Sequence, residues 1–265
     1  VDRAGLHGRS PADTDSRGGI SQEQMKHKSR FYRDYSHTGN TFFNVKIDTS
    51  DLFIRSDKNL YDVAFGVLKD TRRELEEYIN EHDEFLHSLD PVIHHGGEDK
   101  ITAVMCMAGA SAGVGPMAAV AGAIAEKVGR ELLNHTCEVV VENGGDIWMK
   151  LIKPAIIGLY VNNIYFKNSI GIKINPEETP CSVCTSTSRL GHSLSFGKAD
   201  SVTVIGDSGA VSDAAATAVC NMVQNETDIE KALEFAISIT GVRGCVIVFR
   251  DKIAVQGEII LAPIE

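Results

Sequence analysis

An acidic residue and a hydroxyl residue stand four positions apart in an alanine-rich run, Asp213-Ala-Ala-Ala-Thr217. Alanine favours helix, and Ser212 is a suitable N-cap for a helix that begins there. Residues four apart share one helix face, so Asp213 and Thr217 are predicted to converge in the first turn. Oxygen ligands of this kind suit Mg²⁺, and first-turn N–H groups suit a phosphate. The alternative is a surface aspartate beside a threonine that bonds back to its own helix.

A second group of polar residues, Asn143-Gly144-Gly145-Asp146, separates two strand-like segments. Glycines accept positive φ, so a tight hairpin turn explains this stretch. The functional alternative is that the glycines let the backbone approach a ligand, to which Asn143 and Asp146 hydrogen bond.

A third stretch, from Thr185 to Phe196, is too rich in hydroxyl groups for a core strand. It contains Thr185-Ser186-Thr187-Ser188 and then His192. Histidine has a reference pKa near 6.5 and can act as a general base near neutral pH. The alternative for His192 is a structural role, bonded to a loop carbonyl.

A rival interpretation comes from Gly113, Gly115 and Ala118, which satisfy the dinucleotide fingerprint, with Glu142 placed as a ribose-binding acid. The segments that follow do not keep alternating strand and helix, as a doubly wound sheet requires. A dehydrogenase-like fold is therefore disfavoured.

Two short motifs could bind metal or carry redox chemistry. His94-His95 stands in a loop outside any HExxH helix or Cys/His array, which favours a solvated loop. Cys181 and Cys184 form a lone CxxC motif, for which the alternatives are redox or sulfur chemistry and two buried thiols.

Composition limits the class of partner. The chain has 265 residues and a net charge of −10, which argues against nucleic acid because no broad basic surface is available. Six scattered cysteines suit buried thiols in a reducing cytoplasm. The uncharged run 101–125 is long enough to span a membrane, but its glycines and proline break it into shorter elements. We therefore expect a cytoplasmic protein without membrane insertion, for which a homo-oligomer is compatible with the sequence.

The order of elements predicts an α+β fold with mostly antiparallel sheets covered by helices. Residues 1–24 are polar and aperiodic and are predicted to be a disordered extension, and residues 25–265 a single domain. The elements that bear on the site are predicted as a buried strand at Ile101–Met107, a helix from Pro116 to Leu133, a strand at Cys137–Val141, a strand at Ser201–Ile205 and the helix that carries Asp213.

Assembled in this order, the motifs resemble the ApbE-like superfamily of FAD:protein FMN transferases, and most closely a small branch of it found in methanogenic archaea and some bacteria. The resemblance runs from about Phe42 to the C-terminus. It is carried by Gly115–Gly122, Glu142–Ile147, Thr185–Phe196 and Asp213–Thr217.

The resemblance implies a Mg²⁺-dependent reaction in which the FAD pyrophosphate is cleaved and FMN passes to a Thr or Ser of an acceptor protein. It implies that Asp213 and Thr217 hold Mg²⁺ and that His192 acts as general base. The residues that would line the flavin nucleotide are Asn143, Gly144, Gly145, Asp146, Thr185, Ser186, Thr187 and Ser188.

The chain departs from the transferase pattern around His192. Where the family has the segment His-Ile-x-Asp-Pro-x-x-Gly, this chain has Gly191-His192-Ser193-Leu194-Ser195-Phe196-Gly197, which lacks the Asp and the Pro. The alternative function is therefore a non-catalytic flavin- or nucleotide-binding accessory protein, with a suggested link to sulfur assimilation.

Overall fold

The computed structural model of the chain describes residues 41–97, 100–159, 161, 163–166, 169–187 and 197–264. They belong to the second of two units, Ser36–Glu265. The predicted boundary after residue 24 lies outside the described residues and stays a prediction.

Within the described residues, eleven strands form two sheets in which every pairing is antiparallel. The large sheet has the order β1-β2-β3-β4-β7-β8-β9-β10 and the small sheet the order β11-β6-β5. The strands are β1 (Thr41–Ile47), β2 (Ser50–Ser56), β3 (Val139–Asn143), β4 (Asp146–Lys150), β5 (Ala155–Gly158), β6 (Ile170–Ile174), β7 (Cys181–Ser186), β8 (Ser201–Gly206), β9 (Val242–Phe249), β10 (Lys252–Gly257) and β11 (Leu261–Pro263).

The described helices are α1 (Tyr61–Glu81), α2 (Asp83–His87), α3 (Ile101–Ala112), α4 (Val120–Leu132), α5 (Gly209–Met222) and α6 (Ile229–Ser238). A 3₁₀ turn, Pro116–Ala119, leads into α4. The predicted α+β class with antiparallel sheets is confirmed.

The large sheet has a different apolar layer on each face, because successive strand side chains point to opposite faces. One face packs with the helices in a core that includes Val141, Trp148 and Val204. The opposite face packs against the small sheet in a second core that includes Val183 and Ile205. Residues of neighbouring strands that face the helices can therefore form a site with α4 and α5.

The predicted buried strand at Ile101–Met107 is wrong, because this segment is the first part of helix α3. A short apolar run without charges has no periodicity that separates a buried strand from a buried helix. Gly113 ends the helix at a φ of +70°, and its N–H donates to the Gly109 carbonyl, as is typical of a helix C-terminus.

The end of α3 also removes the dinucleotide interpretation. Gly113 follows a helix rather than a strand, so no βαβ unit contains the fingerprint. Gly115 is explained by packing instead, since a Cβ there would lie 1.8 Å from the Ser88 carbonyl oxygen.

Two helical glycines provide a stability prediction with its control. A Cβ at Gly129 in α4 would lie 2.3 Å from Cε3 of the buried Trp148 ring, whereas a Cβ at Gly66 in α1 would meet nothing within 4 Å. We expect Gly129→Ala to lower the free energy of unfolding by about 1–3 kcal/mol through overpacking. Gly66→Ala should raise it by roughly 0.5–1 kcal/mol, since alanine loses less backbone entropy on folding. Urea denaturation measures both, and equal effects would contradict the packing argument.

No single helix of the described residues is long and apolar enough to cross a membrane. The segments 101–112 and 116–132 would be long and apolar enough only together, and a bend of 102° separates them.

Candidate functional site

The Asp213–Thr217 pair lies deeper in its helix than predicted. Helix α5 begins at Gly209, with Ser208 at the N-cap position, so the predicted start at Ser212 is wrong. Ser212 is an interior residue whose hydroxyl lies 2.7 Å from that of Ser182 on β7. Asp213 and Thr217 remain four residues apart, and both are buried, with 6% and 5% of their surface exposed.

Asp213 receives its hydrogen bonds from a different helix. Its Oδ2 accepts the N–H of Gly122, in the first turn of α4, at 2.9 Å, and the N–H of Ala121 also donates to the carboxylate. First-turn N–H groups have no partner within their own helix, so Asp213 caps α4. The first amide of α5, on Gly209, already donates to Glu126 at 2.7 Å.

Asp146 brings the glycine turn and the hydroxyl-rich stretch to the same place. Strand β4, which begins at Asp146, pairs with β7, and Asp146 Oδ1 accepts the N–H of Thr185 at 3.1 Å. The thiol of Cys184 hydrogen bonds to the Asp146 carboxylate and lies 3.6 Å from the carbonyl oxygen of Gly209 on α5. The three stretches that the sequence singled out therefore converge.

The two aspartates are buried carboxyl groups whose charges act on each other. Burial, and to a lesser extent the nearby charge of Glu142, raises the pKa of Asp146 to about 7. Hydrogen bonds from the Thr185 N–H and the Cys184 thiol favour the ionised form and act in the opposite direction. Burial is the larger cause, and the negative charge of Asp146 the smaller, of a pKa of Asp213 well above its usual value. The hydrogen bonds from the Gly122 and Ala121 N–H groups lower this pKa in part. A cation bound beside them would favour both ionised forms.

Two buried hydroxyl groups near these carboxylates, Thr217 Oγ1 and Ser186 Oγ, have no hydrogen-bond partner among the residues that the structure describes. Buried polar groups are rarely left unpaired, so the Thr217 hydroxyl, one turn beyond Asp213, is free to bind a ligand. A carboxylate and a hydroxyl suit Mg²⁺. Among the described residues, no three His, Cys, Asp or Glu side chains are grouped to hold a metal, so the remaining ligands would be water or phosphate oxygens.

The turn at Gly144 and Gly145 is a two-residue hairpin with φ of +70° and +109°. Both positions require glycine for their conformation, and a Cβ at either would meet nothing within 4 Å. The side chain of Asn143 donates from Nδ2 to the Ala121 carbonyl at 3.1 Å. The turn thus places Asn143 against the first turn of α4 and Asp146 beside Thr185 on β7.

The hydroxyl-rich stretch is described only in part. Thr185 Oγ1 lies 2.9 Å from Thr203 Oγ1 on β8, Ser186 is buried and Thr187 is half-buried. Ser188 and His192 lie outside the described residues, so their predicted roles stay predictions.

The CxxC motif does not form a dithiol. Cys181 packs in the core beneath the small sheet, whereas Cys184 contacts α5 from the opposite face of the sheet. Burial raises the pKa of Cys181 to about 11 and that of Cys184 well above its usual value. Redox chemistry by this pair is therefore disfavoured.

Sequence reasoning missed two contributors to this site, Cys184 and the first turn of α4. Alternation along β7 could have placed Cys184 beside Ser182 and Ser186 on the helix-facing side. No local signal indicates that Gly122 and Ala121 donate to a residue 91 positions away in the chain.

The sequence of the chain matches a known protein family. The family profile described as AbpE bacteria matches residues 33–249. A UPF0280 protein of Methanocaldococcus jannaschii is 40% identical over 217 residues, covering 80% of this chain and 88% of that protein. A UPF0280 protein of Methanopyrus kandleri is 37% identical over 220 residues, covering 80% and 89%.

Solved structures show the same fold at low identity. The apo flavinyl transferase ApbE of Pseudomonas stutzeri aligns with a TM-score of 0.50 and 13% identity over 84% of this chain and 96% of that one. The ApbE protein of Thermotoga maritima aligns with a TM-score of 0.52 and 14% identity over 82% and 96%. The chain therefore belongs to the AbpE bacteria family, is a relative of the archaeal UPF0280 proteins, and has the fold of the ApbE structures.

Proposed function

We propose that this protein is a Mg²⁺-dependent flavin-nucleotide transferase that acts on the FAD pyrophosphate. The observation that carries the proposal is the buried pair Asp146 and Asp213 with the unpartnered hydroxyl of Thr217 one helical turn further on. Its fold is that of proteins described as flavinyl transferases, which supports the same chemical class.

Asp213 and Thr217 would hold the metal ion. A bound Mg²⁺ ion would neutralise the negative charge of the pyrophosphate and the charge that develops on the leaving phosphate. The protein holds Asp213 ready through the N–H groups of Gly122 and Ala121, so the carboxylate needs little reorganisation when the ion arrives.

The flavin nucleotide would lie along the paired-glycine turn and the hydroxyl-rich stretch. We assign it to Asn143, Gly144, Gly145 and Asp146 and to Thr185–Ser188, of which Ser186 presents a buried unpartnered hydroxyl. The open space at both turn glycines would let the backbone approach a ligand.

In the proposed step, a Thr or Ser hydroxyl of the acceptor protein attacks the phosphorus on the FMN side of the pyrophosphate. A new phosphoester bond forms, the bond to the bridging oxygen breaks, and AMP leaves with that oxygen. The hydroxyl proton passes to a base, for which we propose His192.

The experiment that tests the proposal incubates the pure protein with FAD and Mg²⁺, with and without a Thr-containing acceptor peptide, and follows AMP and FMN by chromatography. We expect AMP in amounts equal to transferred plus free FMN, and none when EDTA replaces Mg²⁺. Absence of AMP under every condition would overturn the proposed reaction.

Replacement of the unpartnered hydroxyl gives a sharper prediction. Thr217→Val keeps the shape of the side chain and removes the oxygen, so we expect about tenfold weaker Mg²⁺ binding in calorimetry with FAD present. The free energy of unfolding should stay level or rise by up to about 1 kcal/mol, because no hydrogen bond is lost. Thr217→Ser, which retains the hydroxyl, is the control. Unchanged affinity in Thr217→Val would remove Thr217 from the metal site.

A second candidate function keeps the binding site without the reaction. The segment Gly191–Ser195 lacks the Asp and Pro of the transferase pattern, which favours a flavin- or nucleotide-binding accessory protein. Tight FAD binding without AMP release would support this function, and turnover would exclude it.

A further inference from the structure

We infer that Glu126 is a positioning residue for the proposed site, because α4 and α5 each cap the first turn of the other through equivalent glycine and carboxylate pairs. The inference deepens the proposed function, in which Asp213 and Thr217 on α5 hold the metal.

The first half of the arrangement is the cap that α4 provides for α5. Glu126 Oε2 accepts the N–H of Gly209 at 2.7 Å and the hydroxyl of Ser208 at 2.9 Å. Ser208 makes no cap bond of its own to the helix, so a carboxylate from another helix takes that place. An anion at a helix start also interacts favourably with the helix dipole.

The second half is the cap that α5 provides for α4, in which Asp213 accepts the N–H of Gly122 at 2.9 Å. The spacing is the same on both helices. Gly122-Ala-Ile-Ala-Glu126 and Gly209-Ala-Val-Ser-Asp213 each place an acid four residues after a glycine. Each glycine N–H donates to the acid of the other helix.

The glycines are required by the contact between the two helices. A Cβ at Gly122 would lie 2.1 Å from the Gly209 carbonyl oxygen, and a Cβ at Gly209 would lie 2.2 Å from the Gly122 carbonyl oxygen. The two backbones therefore touch at equivalent points, and the contact has approximate twofold symmetry. A shift of one helix start must shift the other.

The two halves differ in the residue that follows the acid by one helical turn, which is Arg130 after Glu126 and Thr217 after Asp213. Arg130 follows Glu126 by four residues, and its Nε and Nη2 each lie 2.7 Å from Glu126 Oε1. Its guanidinium also lies over the Trp148 ring, 5.4 Å from the ring centre. In the other half, Thr217 follows Asp213 by four residues with its hydroxyl unpartnered. A cation thus accompanies Glu126, and in the described residues no Lys or Arg forms an ion pair with Asp213.

The difference between the two halves explains how the proposed metal ligands are held in place before the ion binds. Glu126, neutralised by Arg130, fixes the start of α5 on α4. Asp213 and Thr217 project from the following turns of the same helix, so their position relative to Asp146 depends on that anchor. Loss of Glu126 should therefore weaken metal binding although Glu126 would not contact the metal.

The test compares the wild type, Glu126→Gln, Glu126→Ala and the control Glu131→Gln, a half-exposed position on the same helix that pairs with Lys127. Two quantities are measured where each protein is folded by circular dichroism. The first is the affinity for Mn²⁺, measured by electron paramagnetic resonance with FAD present. The second is the rate of hydrogen exchange at the amides of Ala121 and Gly122, which donate hydrogen bonds to Asp213.

For Glu126→Ala we expect about tenfold weaker Mn²⁺ binding, which is typical when a residue behind a metal ligand is lost. Protection of the Gly122 amide should fall about fivefold, as for a lost helix cap. Glu126→Gln keeps one acceptor oxygen for Gly209 and should show a smaller change in the same direction, and Glu131→Gln should behave as the wild type.

A merely structural Glu126 would lower the urea midpoint and leave Mn²⁺ affinity and Gly122 protection at wild-type levels, which would overturn the inference. If the wild type binds no Mn²⁺, the metal site of the proposed function is wrong. The exchange measurement then decides the inference by itself. If Glu126→Ala does not fold, Glu126→Gln decides both measurements.

Discussion

Replacing Asp213 with asparagine is expected to lower the rate of AMP release from FAD by roughly 10²–10³-fold, as when one charge-stabilising group is removed from an active site. The same change should leave the free energy of unfolding level or raise it at pH 8. Burial and the charge of Asp146 raise the pKa of Asp213 well above its usual value, so the ionised side chain is a cost to the fold. Asparagine retains an oxygen for the Gly122 N–H and carries no charge.

A fall in activity without a fall in stability distinguishes a metal ligand from a structural residue, because replacing a structural residue would lower activity and stability together. Activity is measured by chromatography and stability by urea denaturation. Asp70→Asn, at a side chain with 68% of its surface exposed on α1, is the control and should change neither. Wild-type rates of AMP release in Asp213→Asn would contradict the assignment of Asp213 as a metal ligand.

The second large effect is a loss of stability as pH rises. The pKa of Asp146 is raised from 3.8 to about 7, chiefly by burial. Between these values the folded state keeps a proton that the unfolded state has released. The free energy of unfolding without metal should therefore decrease from pH 4 to pH 7, by on the order of 4 kcal/mol for this group. Asp146→Asn should remove the part of the decrease that Asp146 contributes, whereas Asp213, whose pKa is also raised, keeps a contribution of its own.

The measurement is urea denaturation in EDTA at several pH values from 4.5 to 7.5, for the wild type and Asp146→Asn. Mg²⁺ favours ionised carboxylates, so adding it should restore stability at the upper end of the range and not at the lower end. Parallel pH profiles for the two proteins would show that Asp146 does not contribute to the pH dependence.

Much of the fold was predictable from local pattern. The alternation of apolar and polar residues along the strands and the glycine turn at Gly144-Gly145 both follow from backbone sterics and burial, which act within a few residues. The α+β class with antiparallel sheets followed from their order and is confirmed. Residue types alone also indicate the three polar stretches at Asn143–Asp146, Thr185–Phe196 and Asp213–Thr217 as candidates for chemistry.

Errors occurred where local signals were ambiguous or a distant group supplied the signal. Ile101–Met107 has no charged residue to show a periodicity, so the sequence does not separate the observed helix from a buried strand. Helix α5 begins three residues before Ser212 because Glu126, 83 positions earlier in the chain, accepts the N–H of Gly209. A cap search restricted to neighbouring residues cannot find such a partner.

The sequence by itself determined which residue types are available for chemistry and the four-residue spacings that put Asp213 with Thr217 and Glu126 with Arg130 on common helix faces. These relations depend only on the helical repeat. Only the tertiary structure decided that Asp213 caps α4, that Glu126 caps α5, and that Asp146 is buried near enough to Asp213 to raise its pKa. Those relations depend on the close contact of two helices at Gly122 and Gly209, which brings together backbone and carboxyl groups that are far apart along the chain.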